Sequence, residues 1–111
     1  MASYKNARNT QDVKRELSDI MRTLKDPRVT GVLSIVKLEL SSDYSYCTAH
    51  ISSVEGLAAA ERAVEGLTSA QGFIRREIGA RLKLRRIPEF RFLADDGIAY
   101  SANLNEMLHR L

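Results

Sequence analysis

The sequence predicts a single α+β domain in which helices cover one face of a three-stranded sheet. Two kinds of apolar periodicity predict it, helical in some stretches and alternating in others, following one another as helix, strand, strand, helix, kink, helix, strand. Size and composition agree. The 111 residues, 44% of them apolar and 28% charged, suit one domain able to bury a core, and no proline-, glycine- or serine-rich tract divides them.

Val13, Leu17, Ile20, Met21 and Leu24 line one stripe of the first helix, with Lys14, Arg15, Asp19 and Arg22 elsewhere. Asp26-Pro27 ends it, because proline disfavours helical geometry in the residue before it. Lys25 and Arg28 stand at this end, where positive charge also complements the helix dipole, and Asp26 caps or pairs locally. Residues 32–40 form the first strand, in which Val36, Leu38 and Leu40 alternate with Lys37 and Glu39. Ser41-Ser42-Asp43 turns the chain, and a second strand at about 44–54 sets Cys47, Ala49 and Ile51 against Tyr46, Thr48, His50 and Ser52. The two strands pair as an antiparallel hairpin.

Glu55-Gly56 breaks the pattern, and Ala60, Ala63, Val64 and Leu67 mark a second helix to about Ser69, its small residues suited to close packing on a sheet. A kink follows at Ser69, Ala70, Gln71 and Gly72, where Gly72 is expected to take positive φ. The third helix carries Ile74, Ile78 and Leu82 inward and Arg76 and Lys83 on the solvent side. Ile87-Pro88 opens the third strand, with Phe90 and Phe92 facing one way and Arg91 and Leu93 the other. The domain core is expected over about 8–96, and Leu104, Leu108 and Leu111 predict a short closing helix at about 102–111.

Charge is concentrated in one place. Arg75, Arg76, Arg81, Lys83, Arg85, Arg86 and Arg91, against Glu77 and Glu89, give this segment +5, whereas the whole chain carries +3 and the remainder therefore −2. Such a face suits a polyanion, since neutralising phosphates releases condensed counterions. Arg75, Arg76, Arg81, Lys83, Arg85 and Arg86 are the phosphate-contact candidates, joined by Lys25 and Arg28. The plainer alternative is a solvated helix face.

One cysteine, Cys47, excludes an internal disulfide and reads as a buried small hydrophobe, in keeping with a reducing cytoplasm. No run of eighteen apolar residues or signal-like N-terminal core is present. His50 and His109 lack a ligand set, and Asp95 and Asp96, adjacent on an extended chain, point apart. No catalytic constellation, metal site, cofactor, small-molecule substrate or membrane partner is expected, and a monomer is expected. Two other readings are a small nuclease or RNA-modifying enzyme using Asp43, Asp95, Asp96 or His50, and a protein-interaction module for an acidic partner.

The element order resembles the type II KH domain, and four sequence words resemble the ribosome-binding factor A family. They are Leu24-Lys25-Asp26-Pro27-Arg28, Ser42-Asp43-Tyr44-Ser45-Tyr46, Ser69-Ala70-Gln71-Gly72-Phe73-Ile74-Arg75-Arg76-Glu77, and Leu82-Lys83-Leu84-Arg85 followed by Ile87-Pro88-Glu89-Phe90. Ala70 agrees with that family's Ala-X-Gly kink while departing from the GXXG loop by which KH domains clamp a nucleic-acid backbone. Family members often have serine where Gly97 stands and extend into a charged tail, whereas this sequence stops at Leu111, so a tail contact is not expected. The resemblance implies a non-catalytic cytoplasmic factor that binds the immature small ribosomal subunit and assists 16S rRNA processing, near the 5′ end region and the decoding side.

Overall fold

The computed structural model describes residues 2–95, with side chains from residue 8 onward. Its elements are α1 (Ala2–Thr23), β1 (Leu33–Leu40), β2 (Tyr46–Ser53), α2 (Leu57–Ser69), α3 (Gln71–Arg81) and β3 (Glu89–Ala94). The sheet order is β1-β2-β3, with β1 antiparallel and β3 parallel to the central β2. The α2–α3 pair is thus the crossover that a parallel neighbour requires. The closing helix expected at 102–111, and Asp96, lie outside the described residues.

The core is the helix-covered face. Val13, Leu17, Ile20 and Met21 of α1, Ala60, Ala63 and Leu67 of α2, and Ile74 and Ile78 of α3 are buried. They meet Ile35, Leu38 and Leu40, Cys47, Ala49 and Ile51, and Phe90 and Phe92 from the sheet. Each large aliphatic side chain removed from water here contributes about 1.5–3 kcal/mol. The alanines let α2 approach β2 and β3, while α1 lies over β1 and against α3. The other sheet face, with Lys37, Glu39, Tyr46, Arg91 and Leu93, is open.

Four local expectations are corrected. Val36 is 45% exposed and Ile35 takes the inward place, because the register shifts between Ile35 and Lys37. One extra residue in a strand moves the alternation onto the other face. Tyr44 precedes β2 and adopts φ 62°, the left-handed turn conformation, while its ring is buried and its hydroxyl accepts a hydrogen bond from Asn9 Nδ2. Burial of the aromatic offsets a backbone cost of about 1–2 kcal/mol.

The third correction concerns α3, which ends at Arg81; Leu82 is extended at φ −127°, ψ 142°. Leu82 and Leu84 pack inward by alternation, and Lys83 and Arg85 therefore project from the 82–88 connection instead of sharing a helix face with Arg76. Fourth, positive φ among the described glycines occurs at Gly31 and Gly56, and Gly72 lies inside α3. The kink itself is Ala70, at φ −92°, ψ 14°; its N–H donates to the carbonyls of Gly66 and Leu67 and its carbonyl accepts from the Ile74 N–H. One residue thus closes α2 and opens α3.

Asp43 organises the β1–β2 turn. Its carboxylate accepts from Ser45 Oγ at 2.6 Å, the Ser45 N–H at 3.0 Å and Ser41 Oγ at 3.0 Å. These bonds, those from Ser45 foremost, lower its pKa from 3.8 to about 2. A depressed folded-state pKa means that the stabilisation is present above the unfolded value, about 4. It is then lost as pH falls through about 2. Carbon-detected NMR titration of Asp43 is expected to show this low midpoint, with amide exchange at Ser45 and Tyr46 accelerating over the same window and Asp43→Asn abolishing the pH dependence. A midpoint near about 4 would mean that the serines do not hold the carboxylate.

Candidate nucleic-acid interface

The basic segment separates into cations the protein uses itself and cations it leaves to solvent. Arg75, in the first turns of α3, donates from Nε to the Pro88 carbonyl at 3.2 Å and from Nη2 to the Ile87 carbonyl at 3.1 Å. It pins α3 to the start of β3. Arg81 straps α3 to α1, with Nη1 2.7 Å from Asp19 and 3.5 Å from Glu16, and Nη2 3.4 Å from Glu77. The Asp19 hydrogen bond raises its pKa above the ordinary arginine value. Arg86 donates from Nη1 to Ser45 Oγ at 3.2 Å, tying the connection to the hairpin turn. Arg91 lies over the Tyr46 ring, its guanidinium carbon 3.8 Å from the centroid.

Arg76, Lys83 and Arg85 are exposed and have no ion pair or side-chain hydrogen bond among the described residues. Three like charges without an ion pair among the described residues gain the fold nothing by pairing there, and this leaves them to an outside anion. Lys25 is likewise exposed. Arg28 forks onto Asp26, Nη2 to Oδ2 at 2.8 Å and Nε to Oδ1 at 3.1 Å, and this hydrogen bonding holds the Asp26 carboxyl below its ordinary value. The fork agrees with the local pairing expected of Asp26. This turn seats on α2 at Gly66, where an added Cβ would stand 3.3 Å from that of Arg28. Gly66 lies one helical turn before Ala70, so Arg28 flanks the kink.

Beside the kink, the Gln71 side chain takes both backbone groups of Phe90: Nε2 donates to the carbonyl at 2.6 Å and Oε1 accepts the N–H at 2.7 Å. This clamp, which sequence reasoning missed, occupies the outer edge of β3 at Phe90, where a further strand or an extended ligand would otherwise bond. Below it opens a cleft of about 420 Å³ lined by Ser45, Tyr46, Arg75, Arg86, Ile87 and Glu89. The alternating sequence Tyr46, Thr48, His50 in β2 and Arg91, Leu93 in β3 was a signal that Tyr46 and Arg91 share the open face. Only the parallel register, Tyr46 opposite Glu89 and Thr48 opposite Arg91, makes them diagonal neighbours.

Cys47 is buried and burial pushes its thiol up to about 12, far from a nucleophile's range. His50 faces Glu39 at 3.3 Å and Asp95 at 3.9 Å on the open sheet face, and Asp43 is committed to its turn. No group of three or more metal-ligating side chains occurs among the described residues. No described helix is long and apolar enough to cross a membrane.

The sequence model of ribosome-binding factor A matches residues 5–108, nearly the whole chain. The chain belongs to the ribosome-binding factor A family. A ribosome-binding factor A of Clostridium tetani is 37% identical over 112 aligned positions, spanning all of this chain and 93% of that protein. The crystal structure of ribosome-binding factor A from Thermus thermophilus superposes with a TM-score of 0.72 at 26% identity, covering 80% of this chain and 93% of that one. A homology model of the Thermus thermophilus factor, as fitted into the cryo-EM map of a 30S complex, superposes at 0.64 with 26% identity, over 77% and 89% of the two chains. Ribosome-binding factor A structures therefore share the α+β arrangement described above, and the KH-like reading of the element order agrees with them.

Proposed function

We propose that this chain is a non-catalytic, monomeric, cytoplasmic factor that binds the immature 30S subunit and assists late maturation and 16S rRNA processing. It acts as one RNA-binding domain. The observation that carries the reading is the set Arg76, Lys83 and Arg85, three exposed cations with no protein partner among the described residues, on α3 and its exit in a ribosome-binding factor A family member. Lys25 and Arg28 extend the surface around the kink, and Arg75 and Arg86 contribute the donors their backbone and serine contacts leave spare. Arg81 supports the interface by holding α3 on α1. Docking is electrostatic: cations replace the counterions of rRNA phosphates, the bound conformation is held during maturation, and the factor then leaves.

Purified protein incubated with precursor small subunits and magnesium across a salt series is expected to bind and to leave fragment lengths unchanged. Contacts to about four to six phosphates of unpaired RNA imply a log-log salt slope of roughly −3 to −4. Cleavage that disappears in Asp95→Ala or Asp43→Ala would replace this reading with the nuclease. A flat salt response would remove the electrostatic mechanism.

A further inference from the structure

We infer that the cleft between Arg75 and Arg86, with the Tyr46–Arg91 stack on its rim, is a subsite for one unpaired RNA nucleotide, phosphate in the cleft and base on the stack. This rests on the rRNA-binding reading and adds to it a base contact, where phosphate contacts alone would only position the chain. The cleft's volume of about 420 Å³ falls in the range of small-ligand sites. Its two guanidiniums already have protein partners, Arg75 the Ile87 and Pro88 carbonyls and Arg86 Ser45 Oγ, so part of the ordering that binding requires is in place. Each keeps further N–H donors for an anion. Two carboxylates are close. Asp43 is occupied by Ser41 and Ser45, and the Glu89 side chain lines the cleft with no side-chain partner among the described residues, so its carboxylate opposes the phosphate.

Tyr46 belongs both to the cleft and to the stack. It is 39% exposed, and Arg91 above it is exposed, so the pair offers a cationic surface beside an aromatic ring, of the kind on which unpaired bases stack. Beside the cleft the main chain is already engaged, since Gln71 holds both polar groups of Phe90 and Arg75 holds the carbonyls of Ile87 and Pro88. Stacking is the contact that the rim offers a base.

The test compares an RNA hexamer carrying a central 2-aminopurine with the same hexamer made abasic at that position. Wild type is expected to bind the intact hexamer about tenfold more tightly and to quench its fluorescence. Arg91→Gln, which alters only an exposed side chain, and Tyr46→Ala should bring the two affinities together, with Tyr46→Phe retaining the difference. Arg86→Gln should weaken both hexamers equally, and Glu89→Gln should tighten both. Equal binding of the hexamers by wild type, no binding of either, or an undiminished difference in Arg91→Gln overturns the subsite. The rRNA reading then still stands if wild type binds precursor subunits, and falls with the subsite if it does not.

Discussion

Replacing the three unpartnered cations together, Arg76→Glu, Lys83→Glu and Arg85→Glu, is expected to lower affinity for precursor small subunits at least about a hundredfold near physiological salt, with melting shifted by only a few degrees. For unpaired RNA each phosphate contact contributes a salt exponent of about 0.7, which at roughly 0.15 M is worth about fourfold in affinity. Losing three contacts gives about fiftyfold, and the new repulsion adds to it. The salt slope should become shallower by about 2. Stability is spared because none of the three side chains has a partner among the described residues. Arg81→Glu should do the opposite, lowering the melting temperature by setting a carboxylate among Asp19, Glu16 and Glu77. Binding by fluorescence anisotropy with thermal melts on the same samples separates the two; a triple variant that folds and binds like wild type would end the basic-surface account.

That contrast also shows where the sequence was legible. Ile74 and Ile78, Ala60, Ala63 and Leu67, and Phe90 and Phe92 proclaim their buried faces because one period runs uninterrupted through each element. Leu82 satisfies two periods at once, four residues after Ile78 and first in the alternation Leu82-Lys83-Leu84-Arg85, and tertiary packing of Leu84 decides for the extended one. The bulge at Val36 leaves no trace in local composition, since either inward assignment reads as a strand. Among the cations, spacing cannot tell a ligand-facing arginine from a structural one. Arg81 finds Glu16 and Asp19 across more than sixty positions of sequence, and Arg75 finds carbonyls whose direction depends on where β3 begins. The density of charge was readable; its division into struts and free groups belongs to the fold.

Two glycines are expected to respond in opposite senses, and the one that matters is not at the kink. Gly66 is buried in α2, and a Cβ there would lie 2.6 Å from a Val29 methyl and 3.2 Å from Asp26 Oδ2. The first distance is below any real contact, so the Val29 side chain or the 26–29 turn that carries it must shift. Alanine gains up to about 1 kcal/mol of helix propensity, yet overpacking costs about 1–3 kcal/mol. Gly66→Ala should therefore melt lower than wild type, and Gly66→Val, with two further methyls in the same contact, should lose about 3 kcal/mol or more. At roughly 4 °C per kcal/mol that exceeds about 10 °C. Gly72 sits in α3 without positive φ, and a Cβ there meets nothing within 4 Å. Gly72→Ala should raise the melting temperature by about 2 °C, a gain of roughly 0.5 kcal/mol. A Gly66→Ala protein as stable as wild type would show that the Arg28 turn is not seated on α2. If Gly72→Ala melts higher but binds precursor subunits more weakly, the rRNA backbone approaches α3 at that position, since a methyl group that costs the free protein nothing can then oppose only the ligand.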